Sequence, residues 1–167
     1  MPQRHFVDST ACLSERLSHL RFIESQLGNH DNHANLQHDI FKKANDVFRP
    51  FGKMVDFSII TRGELVMTFD GNQGKSLRVS NYTPEKYPQE EIVLRAGREE
   101  QIVLKKNGTE EHLAFPLFRN DEVCGMMLLS NQATGKPFSD DDLTIAREFS
   151  LIASEAMTEL FARLSRS

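Results

Sequence analysis

The sequence is poor in what several functional classes require. Of its 167 residues two are Cys, none is Trp and two are Tyr, and 20 Lys plus Arg are set against 24 Asp plus Glu. Two cysteines, Cys12 and Cys124, make no disulfide framework, and a chain of this length buries enough core without one. Cys12 lies in a helical pattern and Cys124 in an apolar strand pattern, so both are expected as small packing thiols in a reducing compartment. A net charge of −4 gives no global attraction for phosphate backbones or anionic lipid, which removes nucleic acid and membrane surfaces from the expected partners. The longest purely apolar stretches are four residues, Met126 to Leu129 among them, far short of the roughly 20 that span a bilayer. No apolar run follows Arg4 and His5 to act as a secretory signal, so a cytoplasmic location is expected.

What is present is periodic. Over residues 9–27, Leu13, Leu17, Leu20, Glu24 and Leu27 recur at three and four, a helix with one narrow apolar stripe that ends in Gly28-Asn29 turn chemistry. So narrow a stripe resembles a coiled-coil seam, and residues 1–30 are expected as an extension or linker helix ahead of a single domain over 31–167. From Asn35, Leu36, Ile40, Phe41, Ala44, Val47 and Phe48 make a broader helical face suited to a sheet, ending before Pro50 and Gly52.

The period then changes to two. Val55, Phe57 and Ile59 alternate through one strand, Arg62-Gly63 leads to Leu65, Met67 and Phe69, and Asp70 to Gly74 opens a strand over 76–80, which predicts three antiparallel strands joined in order. Residues 81–110 are irregular, with a short helix from Pro88 to Gly97, a strand near Ile102 and a hairpin turn at Asn107-Gly108. Residues 111–118 and 122–130 form the most apolar hairpin. Ser139, with Asp142 three residues on, caps a final helix of roughly 25 residues, longer than a small sheet covers.

At this point the sequence resembles a family. Ala114-Phe115-Pro116-Leu117, then Glu122 to Ser130 with its hydrophobic-x-Gly-hydrophobic pattern at Gly125, then Phe138-Ser139-Asp140-Asp141-Asp142-Leu143, is similar to the C-terminal half of a GAF domain. The resemblance implies an α+β fold, a central antiparallel sheet with helices packed on one face, in an architecture shared with PAS and profilin-like domains. It implies a sensory or regulatory role: a small-molecule ligand bound beside the irregular segment, and signalling through long N- and C-terminal helices in a homodimer, toward an output domain or partner protein. The alternatives are a ligand-free dimerisation or docking module, and the family's enzymatic branch, which reduces free methionine sulfoxide with a thiolate and a resolving thiol.

Within that frame the candidate ligand contacts are Phe57, Phe69, Arg95, Arg98, Phe115 and Met127, the arginines because a planar guanidinium holds carboxylate or phosphate. The candidate dimer helices present Leu13, Leu17 and Leu20, and Phe149, Ile152, Ala156, Leu160 and Leu164. The family's cyclic-nucleotide signature is missing, residues 81–110 hold no Cys for a covalent pigment, and Gly71 and Gly74 lack the residues of a phosphate loop. Cys12 and Cys124 do not match the reductase pair. His30, His33 and His38 have metal-like composition but sit in Asn-rich turn sequence, so no metal and no cofactor is expected.

Overall fold

Capping decides where the helices begin. In the computed structural model, which describes residues 10–61, 64–70, 75–78 and 102–166, helix α1 spans Leu13–Leu27 and α2 spans His33–Phe48. The Asn32 side chain accepts the Asn35 N–H and so starts α2 at His33, three residues ahead of Leu36, the first buried apolar position. A 3₁₀ turn, Arg49–Phe51, leads to strand β1. The strands are β1 Met54–Thr61, β2 Glu64–Asp70, β3 Lys75–Arg78, β4 Val103–Asn107, β5 Glu110–Arg119 and β6 Glu122–Ser130. Helix α3, Asp140–Ser165, closes the chain, and Ser139 and Asp142 form the predicted reciprocal capping box. The expected helix over 88–97 and the turns at 62–63 and 71–74 lie outside the described residues.

All pairings are antiparallel in one sheet of order β3-β2-β1-β6-β5-β4. The first and last helices run parallel to each other: Arg16, early in α1, meets Asp142 at the start of α3, and Arg163, late in α3, donates to the carbonyl of His30 just beyond α1. Helices and sheet share one core. Phe48 packs edge-on to Phe149 at 5.9 Å and tilted to Phe115, while Phe69 stacks on Phe41 and meets Phe57 edge to face. Phe48, Phe57, Phe115 and Phe149 are fully buried, each worth about 1.5–3 kcal/mol relative to exposure. Gly125, the motif glycine, lies where the Phe57 ring crosses β6: a Cβ there would stand 3.3 Å from two ring carbons.

Helix α1 packs against the rest of the chain. Its Leu20, Ile23 and Leu27 are buried in the main core, and Ile23 completes a stripe that the leucine spacing alone left narrow. Arg16 and His19 are buried with them. The Arg16 guanidinium lies 3.6 Å above the Phe51 ring and donates to Asp142 Oδ1 at 2.8 Å. Lys53 Nζ donates to the Phe51 carbonyl at 3.0 Å, stands 3.6 Å from Asp142 Oδ2 and lies over the Phe138 ring. Burial pushes the Lys53 amine below its ordinary range, with Asp142 pulling the other way. One carboxylate therefore caps α3, pairs with α1 and pairs with the entrance to β1.

Removing that carboxylate leaves the buried Arg16 without its ion-pair partner and Lys53 with only the weaker influence of Glu111. Asp142→Ala is expected to lose about 3–5 kcal/mol of stability, read as a lower midpoint in urea unfolding at unchanged slope. A loss below about 1 kcal/mol, the value of an exposed pair, would refute the keystone role.

Candidate functional site

The sheet has two unlike faces. Toward the helices point Val55, Phe57 and Ile59 of β1, Phe69 of β2, Leu113, Phe115 and Leu117 of β5, and Met127 and Leu129 of β6. The opposite, outer face gathers Val103, Ala114, Met126 and Leu128 into a second cluster, with Ile60 and Val123 packed on it. Residue-by-residue register orders this face in rows. Thr68, Ser58, Met126 and Pro116 run across β2, β1, β6 and β5, and the adjacent row is Asp56, Leu128, Ala114 and Val103. The next carries Ser130, His112 and Lys105. Hydroxyls and a carboxylate thus mark the β1–β2 side, alkyl groups the middle and bases the β4–β5 side, about 14 Å apart across three strand spacings.

The polar members are held in place. Ser58 Oγ and Thr68 Oγ1 are hydrogen-bonded at 3.2 Å across the β1–β2 pair, and Ser58 is buried. His112 Nε2 is 3.4 Å from Glu110 Oε1, yet has no hydrogen-bond partner among the described residues, and that oxygen accepts Gln132 Nε2 at 2.6 Å. Burial lowers the His112 pKa below 6.5; Glu110 opposes the shift and Lys105 adds to it. The imidazole is therefore favoured in its neutral form, able both to donate and to accept.

The sequence-derived ligand contacts fall elsewhere. Phe57, Phe69, Phe115 and Met127 fill the layer between sheet and helices; alternation within a strand does not say which side the helices choose. Arg95 and Arg98 lie outside the described residues. Of the expected helix seam, Leu20, Phe149, Ile152, Ala156 and Leu160 are buried within the chain, Leu13 and Leu17 are half-buried, and Leu164 is 41% exposed. Leu151, absent from that set, is 64% exposed on α3. The three histidines diverge: His30 pairs with Asp39 at 2.8 Å, His33 faces the Phe161 ring and His38 the Phe69 ring. No group of three or more metal-ligating side chains converges among the described residues.

A further feature escaped the sequence reading. Ser150, Ser154 and Thr158, one turn apart on α3, bind the backbone of β5 and its turn: Ser150 Oγ donates to the Pro116 carbonyl at 2.8 Å, Ser154 Oγ accepts the Phe118 N–H at 2.9 Å, and Thr158 Oγ1 accepts the Asn120 N–H at 3.3 Å. The register of β5 against β6 shifts between Leu117 and Phe118, which leaves strand groups for the helix to satisfy. The signal was the i, i+4, i+8 spacing of three hydroxyls, visible in sequence but ordinary for a solvated face.

The two thiols are chemically unlike and far apart. Cys124, the extra residue at the β6 register shift, is buried beside Met157, and desolvation pushes its pKa up to about 11. Cys12 is exposed at the N-cap of α1, one turn before the Arg16–Asp142 contact. Asp142 and Met157 are about 15 residues, or about 22 Å, apart along α3, so the thiols sit toward opposite ends of the molecule.

Two measurements check these environments. At pH 8, iodoacetamide followed by peptide mass spectrometry is expected to label Cys12 and to leave Cys124 intact in the native protein, since at a pKa of about 11 only about one thiol in a thousand is ionised. Equal labelling would contradict the burial of Cys124. For histidine, the folded values of His33, lowered by burial and by Arg119, and of His112 lie below 6.5. Below pH 6.5 the unfolded chain takes up these protons first, so their contribution to stability falls as pH drops from 6.5 through the folded values. His112→Gln should flatten the stability profile between pH 7 and 5; an unchanged slope would show that His112 titrates as in water.

Comparison with known proteins places the fold. The family model for the GAF domain matches residues 23–157. No curated protein sequence matches the chain. Among solved structures, the chain is similar to the free methionine-R-sulfoxide reductase of Neisseria meningitidis, with a TM-score of 0.66 at 13% identity over 98% of this chain and 99% of that one. It is also similar to the GAF domain of the Acinetobacter phosphoenolpyruvate-protein phosphotransferase, TM-score 0.60 at 16% identity over 90% and 97% of the two chains. A fragment of a methyl-accepting chemotaxis protein aligns at TM-score 0.58 and 10% identity over 83% and 96%. At these identities the likenesses speak for the fold alone. The antiparallel sheet with its helices on one face, the Ser139-capped closing helix and the match of the family model over most of the length together make this chain a member of the GAF domain family.

Proposed function

We propose that this GAF domain is a cytoplasmic sensory module that binds a small molecule on the outer face of its sheet and passes occupancy to α3. The observation that carries the reading is the hydroxyl ladder from Ser150, Ser154 and Thr158 to β5. Strand β5 has Ala114, Pro116 and His112 on the outer face, while the backbone of its last turn is hydrogen-bonded to the closing helix. A shift of β5 under a ligand changes those bonds, and the two packings of α3 are the states a ligand biases. The row order suits a molecule with a hydrogen-bonding end toward Asp56, Ser58 and Thr68, an apolar middle, and an acidic end toward His112 and Lys105. In this reading α3 pairs with a second copy through side chains left exposed, Leu151 and Leu164, and acts on an output domain or partner protein. The placement of Cys12 and Cys124 supports a binding role over thiol-based reduction, which needs a second thiol within reach.

The test is a thermal-shift screen of nucleotides, amino acids and tetrapyrroles, followed by hydrogen exchange with the best ligand. A ligand at a hundred times its Kd contributes about 2.7 kcal/mol, which for a domain of this size raises Tm by about 5–10 °C. Exchange is expected to slow in β5 and change in α3. In Ser154→Ala, the Tm shift should persist while the α3 response weakens, because the Phe118 N–H has lost its acceptor. A screen with no shift overturns the binding role, and a shift without any α3 response overturns the transmission route.

A further inference from the structure

We propose that the groove between α1 and α3 docks a helix of a partner protein that carries an apolar ridge flanked by Lys or Arg. The groove has a volume of about 310 Å³; Ile152 and Ala156 form its floor, Ser25 and Gly28 leave it open on the α1 side, and Arg21, Glu24, Glu155 and Glu159 line its walls. Three of the four charged residues are acidic. None of the three has an ion-pair or hydrogen-bond partner among the described residues, although Arg21 is close by. The acidity continues along the helix. Asp141 and Glu148 precede Glu155 at intervals of seven and Glu159 follows at four, so all lie on one side of α3, and all are exposed.

Charge chooses the occupant. An apolar floor between parallel helices takes a third helix laid along them, the helix-in-groove mode of recognition, in which a ridge of side chains at three- and four-residue spacing fills the floor. The acid walls then select Lys or Arg on the flanks of that ridge. A second copy of this chain is a poor fit here, since a two-fold contact along the groove brings Glu155 and Glu159 toward their own equivalents. Leu151 precedes Glu155 by four residues, so a copy-to-copy contact through Leu151 borders the groove on the same side of α3. This inference rests on the proposed role of α3 as the output element only for its purpose; the docking itself stands on the groove.

The test uses the whole chain and synthetic helical peptides of about 14 residues: one with Leu at positions i, i+3 and i+7 and Lys on the flanks, one with Glu replacing Lys, and one with the Lys peptide's composition in scrambled order. Fluorescence anisotropy is expected to show the Lys peptide binding at least tenfold tighter than either control. Glu155→Lys with Glu159→Lys should weaken the Lys peptide tenfold or more and strengthen the Glu peptide. Gly28→Leu serves as the variant without charge change: the backbone there has φ −76°, and an added Cβ meets nothing within 4 Å, so the side chain is accommodated and fills the groove. It should weaken the Lys peptide while leaving the circular dichroism unchanged. Equal binding of the scrambled peptide, or full affinity in both variants, overturns the proposal. A dimer seen by light scattering that both variants dissolve assigns the groove to a second copy and overturns it as well. Loss of the ligand-induced Tm shift has no bearing on peptide binding, so failure of the sensory reading and failure of this one are told apart.

Discussion

The Asp142 carboxylate is the point on which the helical layer depends. One oxygen accepts the Ser139 N–H and faces Lys53; the other accepts Arg16. Each of these groups is otherwise costly to bury, and each is satisfied only if α1, the β1 entrance and the start of α3 reach the same place. The arrangement is under-satisfied even so, because Arg16 Nε and Nη2 have no hydrogen-bond partners among the described residues. Such a cluster adds less net stability than apolar packing would, but it fixes register: sliding α1 along α3 by one turn would strand the buried Arg16 guanidinium. The parallel pair α1–α3, and with it the groove between them, follows from that restriction.

From this anchored end, α3 runs over β5 and is tied to it by hydroxyls rather than by apolar contact alone. A Ser or Thr bond to strand backbone is directional, whereas methyl packing tolerates sliding, so the helix is referenced to the strand at three successive turns. The strand shows its other side chains to the outer face. The same short element therefore meets the candidate ligand surface and the candidate output helix, which is how a sheet with all its described helices on one side connects its two faces.

The GAF fold is shared by proteins with different tasks, and the solved structures similar to this chain include a reductase, a phosphotransferase domain and a chemotaxis fragment. What separates such tasks is the chemistry placed on a common frame. Here the thiol on the sheet is turned into the core beside Met157 and held protonated by burial, while the polar groups of the outer face are hydroxyls, a carboxylate, an imidazole and the Lys105 ammonium.

Much of the fold was legible along the chain because its causes are local. The Ser139–Asp142 box, the Asn107-Gly108 turn and the change from helical to alternating periodicity at Val55 depend on residues within a few positions of one another. The family resemblance rested on such local patterns too, and the match over residues 23–157 agrees with it. The site was far less legible. Alternation identifies two sides of a strand but is symmetric between them, so it does not say that Phe57, Phe69, Phe115 and Met127 are on the side that the helices cover. The leucines of α1 and the apolar face of α3 read as seams for another chain, and most of that surface is spent within this one. By itself the sequence determined the elements, their order and their caps, since these follow from backbone preferences and nearest neighbours. Only the tertiary structure decided which face of the sheet the described helices cover and which helix side chains remain exposed, because those depend on contacts between residues more than a hundred positions apart, such as Arg16 and Asp142.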